Sequence, residues 1–165
     1  MSQAMAAELQ QEAASTRKIL ERIPADKLTW KPHPKSMTLG QLGLHIAQIP
    51  AAIVGLAQLD DFDASQTNFT PAQPASHQEI IDALDKSLPT AGDYLMNMSD
   101  ETARKIWRMT ANGKEMLAIP RIAVLRSILL NHWYHHRGQL SVYLRMLDVP
   151  IPIIYGRSAD ENPFG

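Results

Sequence analysis

The 165-residue sequence contains no cysteine. The chain therefore has no disulfide, no thiolate metal ligand and no cysteine nucleophile, so any thiol chemistry must use a thiol that the protein binds. Aromatic residues make up only 6% of the chain, and 16 Lys and Arg residues nearly balance 17 Asp and Glu residues. The basic residues are dispersed and form no basic face, which argues against nucleic-acid binding.

Long apolar runs and targeting signals are also missing. The first eleven residues lack the basic start and unbroken apolar core of a signal peptide. The longest apolar stretch, around residues 49–59, is much shorter than a membrane span. These features predict a cytoplasmic protein that does not associate with a membrane. A chain of this length can bury one core, which predicts a single domain over residues 1–165.

Apolar residues recur at helical spacing over residues 2–23 and again after Thr38. Residues 25–37, which contain two prolines, should form the connector between these segments. Thr38 followed three residues later by Gln41 is typical of a capping box, so it should begin the second helix. Pro50 is expected to introduce a bend in that helix.

A third helix and a fourth are predicted farther along the chain. Ser76 and Glu79 match a second capping box, at the start of a helix with Pro89 near its middle. Pro120 suits the first turn of a last long helix, which continues to Pro150. Four long helices with connectors of mixed length predict an all-α four-helix bundle, in which metal and cofactor sites are built from inward side chains on facing helices.

Three segments lack helical periodicity. The polar residues 60–75 should form a long surface loop. Residues 106–119 contain Asn112-Gly113, a strong hairpin signal, so a small β-hairpin or an irregular loop is expected before the last helix. The tail, residues 151–165, contains two further prolines and should be extended and docked along the bundle.

Three histidines lie at core-facing positions of the predicted helices. His132 and His136 are four residues apart, which places them roughly 40° apart around a helix axis and about one turn apart along it. His45 lies on the apolar face of the second helix. Neutral imidazole is the commonest protein metal ligand, so the three side chains could form one metal site. Alternatively, each is an ordinary buried histidine with its own hydrogen bonds.

The choice between these alternatives depends on the cost of burying several ring nitrogens. Each buried polar group left without a partner costs roughly 1–3 kcal/mol. Coordination of one cation removes that cost for all three residues, whereas separate hydrogen bonds need a separate explanation for each. The periodicity by itself leaves both interpretations open.

Four sequence segments carry a family resemblance. The most specific are LGQLGLHI at residues 39–46 and HWYHHRGQ at residues 132–139, which together contain the three histidines. The lead-in LTWKP at residues 28–32 and the exit RMLDVP at residues 145–150 add to them. The chain thereby resembles the DinB family, also described as DinB/YfiT-like metalloenzymes, over most of its length.

The resemblance implies a divalent metal bound by His45, His132 and His136, with water or substrate at the remaining coordination positions. It also implies a homodimer. For some relatives it implies transfer of a low-molecular-weight thiol such as bacillithiol or mycothiol to an electrophile. Three histidines do not choose among Zn, Ni and Fe. An open coordination position suits the activation of either a thiol or water.

The residues beside the histidine pair have several candidate roles. Trp133 departs from the family pattern, in which many relatives carry a polar or acidic residue, and should pack against a neighbouring helix or a second subunit. An exposed Trp133 or Trp107 would suit a dimer interface. Gln139 either donates a hydrogen bond to a metal ligand or simply closes the bundle. Arg137 should form an ion pair at the surface or an interface, and His135 should be exposed.

Motifs of several other enzyme classes are missing. The segment His132-Trp-Tyr-His-His136 lacks the glutamate of a zinc protease, and the chain has no glycine-rich phosphate loop or serine nucleophile elbow. The leading hypothesis is therefore a DinB-like metal-dependent enzyme, either a thiol transferase or a hydrolase. The alternative is a non-enzymatic, stress- or damage-associated bundle protein with a structural or vestigial metal site.

Overall fold

Three long helices form the first part of the chain. In the computed structural model, which describes residues 1–68 and 70–163, α1 spans Ser2–Leu20, α2 spans Leu39–Gln58 and α3 spans His77–Asn97. The other elements are β1 (Asp61–Asp63), α4 (Asp100–Arg104), β2 (Ile106–Ala111), β3 (Lys114–Pro120), α5 (Arg121–Val124), a π-helical segment (Leu125–Asn131) and α6 (His132–Met146). Short 3-10 helices span Ala25–Lys27 and Ala64–Gln66.

Side-chain caps determine where α2 and α3 begin. The Oγ1 atom of Thr38 accepts a hydrogen bond from the N–H of Gln41, whose side-chain oxygen accepts from the N–H of Thr38. This capping box is complete, as predicted. Ser76 accepts from the N–H of Glu79, but the Glu79 carboxylate accepts from the N–H of Ala75. The second box therefore forms only its first half.

The long helices close into a four-helix bundle, as predicted. α3 packs against α1 and α2, and α6 packs against α2 and α1, so the order around the core is α1, α3, α2, α6. The inward faces bury one large apolar cluster. Its fully buried members include Ile19, Leu42, Ile80, Leu84 and Leu140.

A three-stranded sheet lies outside this core. β2 pairs antiparallel with β3, and the turn between them places Asn112 at φ 51° and Gly113 at φ 76°, the left-handed conformation that a two-residue hairpin turn requires. The predicted hairpin is confirmed. β1 adds a third strand, parallel to β2, in a segment predicted to be loop. Three residues are too few to show the alternation that identifies a strand.

Side chains of β2 and α5 donate hydrogen bonds to carbonyls at the C-terminal end of α2. Trp107 Nε1 donates a hydrogen bond to the carbonyl of Leu56 at 3.0 Å. Arg121, which is only 2% exposed, donates to the carbonyls of Ala57 and Leu59. Arg121 thereby supplies donors to carbonyls at the end of α2, where the helix runs out of its own N–H groups, whereas the Leu56 carbonyl also accepts a hydrogen bond from the N–H of Leu59.

By length and composition, α2 could cross a membrane. An 18-residue window within it has a mean hydropathy of 1.4, and no other helix of residues 1–68 and 70–163 meets this criterion. The apolar segment is therefore longer than the stretch at residues 49–59 suggests. Within the protein 61% of the window is buried, because α2 is a core helix of the bundle.

Residues 151–163 form neither helix nor strand and fold back on the bundle. Ser158 Oγ accepts hydrogen bonds from the N–H groups of Asp160 and Glu161, which closes a tight loop. Ion pairs from Arg145 to Asp160 and from Arg22 to Glu161 attach this loop to α6 and to the residues after α1. Over residues 151–163 the tail is docked, as predicted, but as a folded loop and not as an extended segment; residues 164 and 165 of the predicted tail lie outside the described residues.

Candidate metal centre

Two helices supply the three histidines. His132 and His136 lie one turn apart on α6, and His45 lies in the first half of α2, which packs against α6 and against the π-helical segment. The π-helical segment ends directly before His132. Short π-helical stretches inside helices frequently occur at functional sites. An apolar pattern with a period of 3.6 residues does not distinguish such a segment from α-helix.

The structure brings the three predicted histidines into one group. Their ring centroids are 4.4 Å apart for His132 and His136, 4.6 Å for His45 and His136, and 5.3 Å for His45 and His132. One nitrogen atom from each ring lies within 4.8 Å of the other two. His136 is buried, and His45 and His132 are half-buried. The arrangement could hold a metal ion against three imidazole nitrogens.

Gln139 orients the buried member of the group. Its side-chain oxygen lies 2.7 Å from Nδ1 of His136. Because an amide oxygen only accepts hydrogen bonds, Nδ1 carries the proton and Nε2 presents a lone pair. A ligand histidine in a metal site typically has its second nitrogen fixed in this way. Of the two roles considered for Gln139, the structure favours hydrogen bonding to His136, but the predicted direction is wrong, because Gln139 accepts the bond through its side-chain oxygen.

The two ring nitrogens of His132 cannot both be satisfied by hydrogen bonds from the surrounding residues. Its Nε2 atom lies only 2.6 Å from Nε2 of His136, and its Nδ1 atom is buried without a hydrogen bond of normal geometry. If His132 carries its proton on Nε2, the lone pair of its Nδ1 atom has no hydrogen-bond donor. If His132 carries its proton on Nδ1, its Nε2 lone pair faces the Nε2 lone pair of His136. A cation that accepts both Nε2 lone pairs removes this conflict, so the residues fit a metal.

All three histidines have depressed pKa values. Burial is the largest cause of the lowered pKa of His45, and the neighbouring His132 lowers it further. Burial also lowers the pKa of His132, which the nearby Ile128 carbonyl raises in part. Burial lowers the pKa of His136 to about 4, against the opposing effect of Gln139. The imidazoles are therefore neutral near pH 7, the form that binds metals.

The lowered pKa values predict how the metal-free protein responds to acid. An unfolded histidine takes up its proton near pH 6.5, whereas folded His136 does so near pH 4. Between these values the unfolded state binds more protons, so the free energy of unfolding should fall as the pH drops from about 6.5 to about 4. Urea unfolding at several pH values in the presence of a chelator measures this. A free energy of unfolding that does not change from pH 7 to pH 5 would contradict the prediction.

Trp133 lies in the core and not at a subunit interface. It is 0% exposed, and its Nε1 atom donates a hydrogen bond to the carbonyl of Ile46 at 2.9 Å. Trp107 is 1% exposed. The suggestion that either tryptophan is exposed for dimerisation is therefore wrong, because both indoles pack inside a single chain. The other interpretation of Trp133, packing against a neighbouring helix, is confirmed. A homodimer stays a prediction.

The residues flanking His136 face different surroundings. His135 is exposed, as predicted, with its ring centroid 5.0 Å from that of His136. Arg137 forms an ion pair, but the prediction of a surface or interface position is wrong, since Arg137 is 2% exposed. It pairs with Glu12 of α1 at 2.5 Å and also contacts Tyr155. Glu12, which is 8% exposed and lies on α1, is the partner inside the bundle that permits the charge to be buried, and Tyr155 of the C-terminal tail contacts the guanidinium from the exposed side.

Comparisons with known proteins agree with the fold and with the sequence resemblance. The family model described as DinB family matches residues 1–162. The uncharacterized protein YrdA of Bacillus subtilis (strain 168) is 27% identical over 151 residues, which cover 91% of this chain and 85% of YrdA.

Two solved structures of DinB-like proteins have the same fold. One, from Bacillus cereus ATCC 10987, has a TM-score of 0.68 at 24% identity and covers 90% of this chain and 94% of its own. The other, from Bacillus subtilis, has a TM-score of 0.70 at 20% identity and covers 94% of this chain and 99% of its own. At these identities the two structures support the fold alone.

Proposed function

Because the chain belongs to the DinB family, we propose that it is a metal-dependent enzyme that activates a low-molecular-weight thiol or water at His45, His132 and His136. The observation that carries the proposal is the convergence of three imidazoles whose pKa values are all lowered. Zn, Ni or Fe are the proposed metals. Neutral imidazole ligands suit each of them.

A divalent cation held by three neutral ligands keeps its charge and an open position, and it lowers the pKa of a thiol or water that binds there. The protein's own residues prepare this site. Gln139 keeps the proton of His136 on Nδ1, so that Nε2 faces the group. The buried His136 excludes water from one side, whereas the half-buried His45 and His132 leave access for a small substrate.

We favour a thiol as the substrate, and an electrophile as its acceptor. The chain has no cysteine, so the sulfur nucleophile must come from a small molecule. A cytoplasmic location suits this role, because low-molecular-weight thiols are kept reduced there. In the proposed transfer, the sulfur forms a bond to carbon of the electrophile, the leaving group departs with its electron pair, and the thiol proton passes to the solvent.

The test is thiol consumption by the metal-loaded protein. Bacillithiol or mycothiol and a monohalobimane are supplied, and the fluorescent thioether and the released halide are measured. Metal-loaded wild-type protein should form the thioether faster than free metal or metal-free protein does. The His136→Ala variant should lose this activity, whereas the variant with the exposed neighbour replaced, His135→Ala, should keep it.

Hydrolysis of small esters and amides, assayed in parallel, distinguishes activation of water from activation of a thiol. A protein that binds metal at the three histidines but neither consumes thiols nor hydrolyses these substrates would contradict the enzymatic proposal. That result would support the alternative, a non-enzymatic bundle protein that keeps a structural metal site.

A further inference from the structure

A proline interrupts the hydrogen-bond ladder of α2 next to the histidine group. Pro50 has no N–H, so it cannot make the bond that residue 50 of a helix normally donates to the carbonyl of residue 46. Ile46 is fully buried, and an unpaired carbonyl there would be unfavourable. The indole N–H of Trp133 takes the place of the missing donor, at 2.9 Å.

The residue after the proline is also bonded to another helix. The N–H of Ala51 donates to the hydroxyl oxygen of Ser87 on α3, at 2.8 Å. Ser87 is only 3% exposed, so this bond lies inside the bundle. At this point α2 therefore bonds to both of the helices that pack beside it.

The position of the Trp133 bond relates it to the metal centre. Ile46 directly follows His45, and Trp133 directly follows His132. The bond thus joins α2 to α6 one residue away from a histidine on each helix. We propose that Trp133, together with Pro50, is a positioning element that fixes the register of His45 against His132 and His136. This inference rests on the proposed function, in which the three histidines hold a metal.

A matched pair of tryptophan variants tests the inference. Trp107 is also buried and also donates its indole N–H to a carbonyl of α2, that of Leu56, but it lies outside the histidine group. Trp133→Phe and Trp107→Phe each remove one such bond and a similar volume. We expect both variants to unfold at lower temperature. Only Trp133→Phe should weaken Co²⁺ binding, by roughly tenfold or more, and change the visible spectrum of bound Co²⁺.

A second variant distinguishes two roles of Trp133, which are positioning of the histidines and hydrogen bonding to the Ile46 carbonyl. In Pro50→Ala the residue at position 50 regains an N–H that can bond to Ile46 within the helix. The double variant Pro50→Ala/Trp133→Phe should therefore recover thermal stability relative to Trp133→Phe. Its Co²⁺ affinity should stay low, because the link between α2 and α6 is still missing.

The outcomes distinguish this inference from the proposed function. Wild-type protein that binds neither Co²⁺ nor any of Zn²⁺, Ni²⁺ and Fe²⁺ would overturn both. If wild-type protein binds Co²⁺, equal affinity in Trp133→Phe and Trp107→Phe would overturn only the positioning role. Recovery of affinity together with stability in the double variant would also overturn it, since Trp133 would then act only as a hydrogen-bond donor to Ile46.

Discussion

Replacing His136 with alanine is expected to lower the affinity for a divalent metal by roughly 100-fold or more, because loss of even an outer partner of a ligand commonly costs 10–100-fold. His136 is the most buried of the three histidines, and Gln139 directs its Nε2 lone pair into the group. Calorimetric titration of Zn²⁺, Ni²⁺ or Fe²⁺ into metal-free wild-type and variant protein measures the change.

His135 provides the control for this substitution. It is adjacent in sequence and lies on the same helix, but it is exposed and outside the group of converging nitrogens. His135→Ala should therefore bind metal as the wild type does. His45→Ala, which removes the ligand from the other helix, should lose affinity as His136→Ala does. Wild-type affinity in a folded His45 or His136 variant would show that the metal binds elsewhere.

Replacing Glu12 with alanine is expected to be strongly destabilising, although Glu12 lies outside the metal centre. The carboxylate of Glu12 is the charged partner of Arg137, and it also accepts a hydrogen bond from Tyr155 at 2.9 Å. Arg137 stays only 2% exposed, so its charge would be left buried without a counterion. The expected cost is about 3–5 kcal/mol, which lowers the melting temperature by roughly 6–20 °C for a chain of this size.

An exposed ion pair serves as the comparison for Glu12. Arg17 of α1 pairs with Asp85 of α3, but both side chains reach solvent. Asp85→Ala should therefore cost no more than about 1 kcal/mol. Thermal and urea unfolding of the two variants measure the difference. Equal losses of stability in Glu12→Ala and Asp85→Ala would contradict the prediction. They would mean that the buried Arg137–Glu12 pair contributes no more to the free energy of unfolding than the exposed Arg17–Asp85 pair does.

The pairing of His132 with His136 could be predicted because its cause is local in sequence, whereas the family resemblance was needed to join His45 of another helix to them. A spacing of four residues places His132 and His136 on one face of a helix, and the apolar register of two helices turns that face and His45 towards the core. The capping box at Thr38 and the turn at Asn112 were predictable for the same reason. In each case the determining residues are close neighbours along the chain.

Other features depend on partners that are distant in sequence. Arg137 and Glu12 are 125 residues apart, and the sequence alone gives no sign that they meet inside the bundle. An isolated charged residue is therefore predicted to be at the surface. The burial of Trp133 is similar, since its bonding partner, Ile46, is 87 residues away, and the missing N–H at Pro50 does not by itself indicate which helix packs there.

Anomalous diffraction from crystals of the metal-loaded protein, recorded at the absorption edge of the bound metal, tests the central claim most directly. The account predicts a single strong peak within about 2.0–2.1 Å of one nitrogen from each of His45, His132 and His136 if the metal is zinc. A stoichiometrically bound metal whose peak lies away from these three histidines would contradict it.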